Sequence, residues 1–94
     1  MEKLFYIDSY IKNFTAEIEE IKEVDSKYRV LLDKTAFFPG GGGQHCDLGY
    51  IDNHKVINVI EEKGEIYHIT ETKPIKIHRV NCKIFYLISY LLWK

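Results

Sequence analysis

Residues 32–51 read Leu-Asp-Lys-Thr-Ala-Phe-Phe-Pro-Gly-Gly-Gly-Gly-Gln-His-Cys-Asp-Leu-Gly-Tyr-Ile. Four consecutive glycines lie at the centre of this segment, and glycine loses more backbone entropy on folding than any other residue. A folded domain retains such a run for a tight turn at positive φ, for close approach of the backbone to a ligand, or as a flexible loop. We call residues 40–45 the glycine loop.

Nucleotide-binding motifs do not fit the glycine loop. A Walker A loop requires Lys and then Ser or Thr after its last glycine, whereas Gln44 and His45 follow Gly43. A G-x-G-x-x-G fingerprint would require a third glycine at residue 45 or 46, which are His and Cys. The flanking residues favour a held loop that offers polar groups to a small substrate. Those flanking residues are Thr35, Phe37, Phe38, Asp47 and Gly49.

Outward from this segment, most of the chain has the pattern of short strands. Apolar, aromatic or alternating runs occupy residues 4–7, 28–32, 56–60, 66–70 and 75–84. In the fourth run, alternation places Ile66, His68 and Thr70 on one face of a strand. Turn dipeptides separate the runs at Asp25-Ser26, Asp52-Asn53, Lys63-Gly64 and Lys73-Pro74. Short strands at this spacing predict a small β-barrel or sandwich.

Residues 13–24 fit two structures equally well. Phe14, Ala16 and Ile18 follow the period of a strand, whereas Phe14, Ile18 and Ile21 follow the period of a helix. The neighbouring carboxylates would lie in solvent in either case. Periodicity therefore leaves helix and strand open for this segment.

Composition limits the classes of protein. The chain has 94 residues, a formal net charge of −1 and 46% hydrophobic residues, which excludes a multidomain enzyme, a disordered chain and a strongly basic nucleic-acid binder. Two cysteines, no signal peptide and no apolar run long enough to span a bilayer predict a cytoplasmic protein that does not enter membranes. Residues 71–94 carry a local charge of +4, which we attribute to solvent-facing strand positions.

The segment at residues 32–51 resembles the glycine-rich motif of the alanyl-tRNA synthetase editing family, which includes the free-standing AlaX proteins. The shared pattern is a strand ending in L-D, then T, x, F-Y-P, one variable residue, G-G-G-Q and a later D-x-G. The resemblance extends to residues 14–16, 56–59 and 64–68, and so covers about residues 1–84. It implies a mainly β fold, a small closed barrel of the translation-protein type, and it favours strand for residues 13–24.

The same resemblance implies candidate site residues. Thr35 matches a threonine implicated in sensing the serine hydroxyl of a mischarged tRNA. The expected substrate-binding residues are Thr35, Gly41, Gly42, Gly43 and Gln44. Such a site rejects alanine because a missing hydroxyl leaves a buried polar group without a partner. Phe38, His45 and Cys46 depart from the family pattern, and Phe38 lacks the phenolic hydroxyl of the usual tyrosine.

The family's catalytic zinc is carried by H-x-x-x-H and C-x-x-x-H pairs in a second domain, and this chain contains neither pair. His78 and Cys82 are four residues apart, but on a strand they would be separated by about 13 Å. We therefore expect no metal site, no cofactor and no catalytic residue in this chain. Zinc is expected in a domain that the chain lacks.

Residues 85–94 form an apolar tail that we expect to be a short strand, a short helix or a non-native continuation after a truncation or frameshift. Domain 1–84 would then be the barrel of a trans-editing hydrolase that deacylates mischarged tRNA-Ala. We expect this chain to be inactive alone, with tRNA-Ala as the partner of the complete protein. The alternative is a non-catalytic module that binds protein or RNA, with self-association through the tail.

Overall fold

The computed structural model describes residues 1–6, 11–40, 46–75 and 79–85. Within these ranges the chain forms nine strands and one short 3-10 helix, Leu4–Tyr6. The strands are β1 (Glu2–Lys3), β2 (Asn13–Ala16), β3 (Ile18–Val24), β4 (Lys27–Leu32), β5 (Lys34–Thr35), β6 (Leu48–Ile51), β7 (His54–Glu62), β8 (Glu65–Thr70) and β9 (Val80–Phe85). The predicted mainly β fold is confirmed.

Seven strands form one antiparallel sheet in the order β2-β9-β6-β7-β8-β4-β3, and β1 pairs with β5 in a separate parallel ladder. The two edge strands, β2 and β3, are consecutive in the chain with only Glu17 between them. The curled sheet has its two edges joined covalently at this corner but no ladder between them, which gives a half-barrel, called the barrel below, where the resemblance implied a closed one. Both halves of residues 13–24 are strand, as the family resemblance implied.

Asp33 fastens the corner between β2 and β3 to the rest of the barrel. The Glu17 N–H donates to Asp33 Oδ1 at 2.9 Å, and the Asp33 N–H donates to the Glu17 carbonyl at 3.0 Å. The Asp33 carbonyl also accepts the Glu2 N–H at 3.0 Å. Asp33, between β4 and β5, is thus hydrogen-bonded both to the β2–β3 corner and to the first residue of β1.

Three of the four predicted turns are confirmed as two-residue hairpin connections. Residues Asp25 and Ser26 have φ values of 54° and 67°, and Lys63 and Gly64 have values of 53° and 81°. Positive φ at both central residues matches the twist of the strands that such turns join. Asp52, in the third turn, has a φ of 53°.

Three sequence predictions are wrong. The run at residues 4–7 was expected as strand, but Leu4–Tyr6 is a 3-10 helix that buries Phe5, and Ile7 lies outside the described residues. The run at residues 75–84 was expected to alternate throughout, but its strand starts at Val80 and Ile75 is 77% exposed. A turn was expected at Lys73-Pro74, but the chain bends at Glu71-Thr72 and Pro74 is buried.

β-Bulges explain why alternation breaks in two strands. Ile18 pairs with Leu32 but Glu20 pairs with Leu31, so Glu19 is an extra residue on β3. The extra residue brings Ile18 and Ile21, three positions apart, to the inner side. A second shift of register at Ile57 on β7 turns both Val56 and Val59 inward.

A glycine is required where β6 and β9 approach each other. A Cβ atom on Gly49 would lie 1.8 Å from the Lys83 carbonyl oxygen, which no rearrangement of a side chain can relieve. Gly49 thereby allows β9 to pair with β6.

The predicted apolar tail begins with Phe85, the last residue of β9, and residues 86–94 lie outside the described part of the chain. In the described ranges there is no helix of the length and apolarity needed to cross a bilayer.

Candidate functional site

A histidine and a threonine meet in the barrel interior. Ile66, His68 and Thr70 share one face of β8, as predicted from the sequence, and the structure turns this face inward, where all three are fully buried. Thr35, at the end of β5, is also 0% exposed. The His68 Nε2 and Thr35 Oγ1 atoms are 2.7 Å apart.

Neighbouring backbone groups fix which atom donates in this pair. The His68 Nδ1 atom lies 2.9 Å from the Val30 carbonyl oxygen, which can only accept, so Nδ1 carries the hydrogen. In the neutral ring Nε2 is then an acceptor, and the Thr35 hydroxyl must donate to it. The Thr35 oxygen in turn accepts the Phe37 N–H at 3.0 Å. We call these four residues, Val30, Thr35, Phe37 and His68, the buried relay.

The ring of His68 is neutral because charging it inside the barrel is costly. Burial lowers the pKa of His68 from 6.5 to about 4, and the hydrogen bond to the Val30 carbonyl offsets only part of that shift. The Phe37 ring packs edge-on against the imidazole, with 5.1 Å between centroids. The Val30 carbonyl thus sets the tautomer of His68, and Phe37 covers the ring.

Phe37 of the buried relay is followed by Phe38, which together with Asp47 flanks the glycine loop; we call these flanking residues the loop base. The Phe38 N–H donates to Asp47 Oδ2 at 3.0 Å, and the Asp47 N–H donates to the Phe38 carbonyl at 3.0 Å. The Gly40 N–H donates to the Val59 carbonyl at 3.2 Å. Residues on both sides of the loop are therefore tied to each other and to β7.

Aromatic packing also holds the loop base, as the sequence predicted for Phe37 and Phe38. Phe37 is fully buried and contacts Phe14 edge-on, with centroids 5.8 Å apart. Phe38 packs edge-on against Phe5 at 5.2 Å. The 3-10 helix that contains Phe5 is thus part of the wall beneath the loop.

The expected substrate-binding residues divide into two groups. Thr35 belongs to the buried relay, and its role toward a substrate stays a prediction. The other four, Gly41, Gly42, Gly43 and Gln44, lie outside the described residues.

Cys46, at the far side of the loop, is half-buried and donates from Sγ to Asn58 Oδ1 at 3.4 Å. Burial raises the pKa of the Cys46 thiol, which keeps it protonated and a poor nucleophile. Cys82 is buried in the core, and burial together with Asp52 and Asp33 raises its pKa to about 12. Neither sulfur has the electropositive surroundings of a reactive thiolate.

The described residues do not fit a zinc ion. Across residues 1–6, 11–40, 46–75 and 79–85, no three His, Cys, Asp or Glu side chains are grouped so that they could hold a metal. Structural and catalytic zinc sites use three or four such ligands. His78, considered above with Cys82, lies outside the described residues.

His68 is the residue whose importance the sequence did not reveal. Its pattern placed it on one face of a strand, and the structure shows that this face packs in the core. The partner Thr35 is 33 positions earlier in the chain, so spacing alone gave no sign of the contact. The feature of the sequence that could have drawn attention to His68 was a titratable ring on the same strand face as Ile66 and Thr70.

Comparison with known proteins shows the family of the chain. The profile of the family described as class II tRNA synthetases (A) matches residues 4–85. The chain is 37% identical over 73 residues to the alanyl-tRNA editing protein AlaX-L of Pyrococcus horikoshii, covering 73% of this chain and 18% of the relative. It is 35% identical over 95 aligned positions to AlaX-M of the same organism, covering 98% of this chain and 42% of the relative.

A third relative is the alanine–tRNA ligase of Halorubrum lacusprofundi, which is 38% identical over 79 residues, covering 80% of this chain and 8% of the ligase. The profile match over residues 4–85 defines a domain of the tRNA synthetase type. The chain belongs to the class II tRNA synthetase (A) family and is an AlaX-like, alanyl-tRNA synthetase-related domain. It spans less than half the length of each of these relatives.

Proposed function

We propose that this chain supplies the glycine-loop barrel of an aminoacyl-tRNA editing hydrolase that removes the wrong amino acid from tRNA-Ala. The loop base carries this proposal: two backbone hydrogen bonds, one hydrogen bond to the Asp47 carboxylate and two packed phenylalanines hold the ends of the glycine loop near Thr35. The relatives named as alanyl-tRNA editing proteins support the same reaction.

The chemistry of the barrel suits recognition rather than bond cleavage. The thiol of Cys46 and the ring of His68 are both held neutral by burial, so neither is an activated nucleophile or a charged acid. The described residues also offer no metal-binding group. Hydrolysis would depend on zinc ligands carried elsewhere, whereas the barrel would shape the pocket for the aminoacyl end.

Selection would rest on the hydroxyl that distinguishes serine from alanine. A polar group enclosed in a dry site loses its partner when alanine replaces serine, and this loss costs more than the hydrogen bond itself contributes. Thr35, which is 0% exposed beneath the glycine loop, would become such a group only when the aminoacyl end displaces the residues that cover it. The glycines would let the loop backbone approach the terminal adenosine without Cβ clashes.

The test is a chimera in which residues 1–85 replace the matching segment of Pyrococcus horikoshii AlaX-M. We expect the chimera to hydrolyse seryl-tRNA-Ala faster than alanyl-tRNA-Ala. The substitution Thr35→Val should bring the two rates together without unfolding the barrel. The measurement is the rate of deacylation of each ester.

The matched control is Thr72→Val, which alters a threonine at the surface. This variant should keep the discrimination of the parent chimera. A folded chimera that hydrolyses neither ester, or a Thr35→Val variant that still discriminates normally, would contradict the proposal. Salt-insensitive binding of the chain to protein, without affinity for tRNA, would instead favour an interaction module.

A further inference from the structure

The outer face of β9, β6 and β7 carries lysines and aromatic rings side by side. The ladder registers place Tyr50 directly opposite Lys83 on one side and Lys55 on the other. Opposed residues share a face of the sheet, and neighbouring strands are about 4.8 Å apart, so the two lysines flank Tyr50 at about 10 Å from each other. Two positions along the same face, Leu48 lies opposite Phe85. We call these five residues the outer platform.

Aromatic packing orders the platform and leaves ring surface accessible. The Tyr50 and Phe85 rings meet edge-to-face, with 5.3 Å between their centroids. The Lys83 ammonium lies 5.9 Å from the Phe85 centroid. Phe85 is 43% exposed, and Lys55 and Lys83 are both exposed. An edge-to-face contact covers at most one face of one ring, so it leaves the other ring faces available for stacking.

The positive charge of the platform is not neutralised by neighbouring acids. Among the residues that the structure describes, neither of its lysines forms an ion pair. The acids that border the platform in the chain are engaged with the backbone. Asp47 is 2% exposed and accepts the Phe38 N–H at 3.0 Å, and Asp52 Oδ1 accepts the Asn81 N–H at 2.8 Å. The platform therefore offers unpaired cations beside aromatic rings.

The outer face of β4 and β8 has a cation and a ring in a similar arrangement but adds acids. The Arg29 guanidinium carbon lies 4.2 Å from the Tyr67 centroid. The same guanidinium pairs with Glu62 at 3.1 Å, and the Tyr67 hydroxyl donates to Glu65 at 3.3 Å. An anion that approaches this face meets carboxylates and an arginine that already has a partner. The two faces thus differ in their affinity for anions, although both carry a ring near a cation.

We propose that the outer platform binds single-stranded RNA, with bases stacked on its rings and phosphates held by its lysines. Single-strand binding surfaces combine aromatic rings with cations, because every base has a π face and every nucleotide carries a phosphate. The bases of a duplex are stacked on each other, so they are not available to a protein ring. The choice of RNA rests on the proposed function, in which a tRNA is the substrate.

The platform adjoins the glycine loop along the chain. Leu48 is the first residue of β6, which begins three residues after the loop ends at residue 45. If the aminoacylated end of an RNA lies at the loop, the nucleotides that precede this end are the ones within reach of β6. The platform would then contribute to binding of the RNA and would take no part in cleavage.

The test is binding of a fluorescein-labelled oligoadenylate of about eight nucleotides to the full 94-residue chain, measured by fluorescence anisotropy at several salt concentrations. We expect a dissociation constant on the order of 10–100 µM at low salt. Tyr50→Leu removes the stacking surface and should weaken binding about tenfold with an unchanged salt dependence. Lys83→Gln removes a phosphate contact and should reduce the slope of log K against log salt by about 0.7.

Matched controls come from the face that carries acids. Tyr67→Leu removes a ring of β8, and Lys22→Gln removes an exposed cation of β3. Each should change the affinity by less than about twofold, because neither residue contacts the RNA in this proposal. Tyr50→Phe keeps the ring and should bind like the parent chain. An RNA duplex of the same length should bind more weakly, and Tyr50→Leu should not alter its affinity.

The outcomes separate this inference from the proposed function. Absence of measurable binding, or binding that neither Tyr50→Leu nor Lys83→Gln changes, overturns the inference, whereas the proposed function is tested by deacylation in the chimera. Equal losses for single strand and duplex in Tyr50→Leu, or equally tight binding of a polyglutamate peptide, would show a general anion-binding surface and would also overturn it. A folded chimera that hydrolyses neither ester contradicts the proposed function and leaves the oligonucleotide result standing.

Discussion

The barrel contains two histidine–threonine pairs with the same hydrogen-bond length and different surroundings. His68 and Thr35 are 2.7 Å apart in the core, where both are 0% exposed. His54 Nδ1 and Thr72 Oγ1 are also 2.7 Å apart, but Thr72 lies exposed in the bend after β8. The two pairs thus differ in burial and in the number of further partners, and not in distance.

This difference shows that the length of a hydrogen bond does not determine how much free energy it contributes to stability. When the surface pair breaks, water replaces each partner, so little free energy is lost. When the core pair breaks, the Phe37 N–H, the Thr35 oxygen and the His68 ring remain enclosed, and an unpaired buried polar group costs about 1–3 kcal/mol. Three predictions test this comparison.

The largest effect is expected from replacing each histidine by leucine. His68→Leu leaves the Thr35 hydroxyl and the Val30 carbonyl without their partners, so it should lower the free energy of unfolding by about 2–4 kcal/mol. His54→Leu should change it by less than about 0.5 kcal/mol. The measurement is urea unfolding followed by circular dichroism, and equal losses in the two variants would contradict the comparison.

The second effect is a dependence of stability on pH that belongs to His68. Its pKa is lowered to about 4 in the folded chain from 6.5, so the unfolded state binds more protons between these values. The contribution of His68 is fully present above pH 6.5 and is lost as the pH falls toward 4, on the order of 3 kcal/mol in total.

Comparison of variants isolates this contribution from that of the carboxylates. Between pH 7 and pH 4, His68→Gln should lose less stability than the wild-type chain, whereas His54→Gln should follow the wild type. Chemical unfolding at several pH values measures the slopes. Parallel slopes for the wild type and His68→Gln would show that the ring is not buried in its neutral form.

The smallest effect is expected at the threonines. Thr35→Val keeps the shape of the side chain but leaves the Phe37 N–H and His68 Nε2 unpaired, so it should cost about 1–2 kcal/mol. Thr72→Val should cost less than about 0.5 kcal/mol, since the Thr72 carbonyl still accepts the Thr70 hydroxyl at 2.8 Å. Shifts in the urea midpoint measure both, and a larger shift for Thr72→Val would reverse the comparison.

Sequence periodicity predicted the parts of the fold in which the ladder is regular. The residues that share a face of β8 and the three hairpin turns followed directly from alternation and turn residues, although alternation did not show which face of β8 is the inner one. The same reasoning could not decide between helix and strand for residues 13–24, because the extra residue Glu19 places Ile18 and Ile21 at the spacing of a helix. A bulge depends on the partner strand, so its position cannot be seen in one strand alone.

The candidate site was predictable only in part for a similar reason. The phenylalanines and Asp47 at the base of the glycine loop are near one another in sequence, and their closing role was expected. The buried relay joins β4, β5 and β8, which become neighbours only when the barrel has formed. Pairing of His68 with Thr35 is therefore a property of the topology rather than of any local motif.

The position of β9 has a consequence for the time course of synthesis. Val80–Phe85 lies between β2 and β6, so residues 13–16 acquire their sheet partner only after about 65 further residues have been added. At about 5–20 residues per second this interval lasts several seconds. The hairpins β3–β4 and β7–β8 can form meanwhile, but β2 and one side of β6 remain open edges, which pair readily with other chains. The nascent chain is thus most exposed to misassembly just before its last described strand emerges.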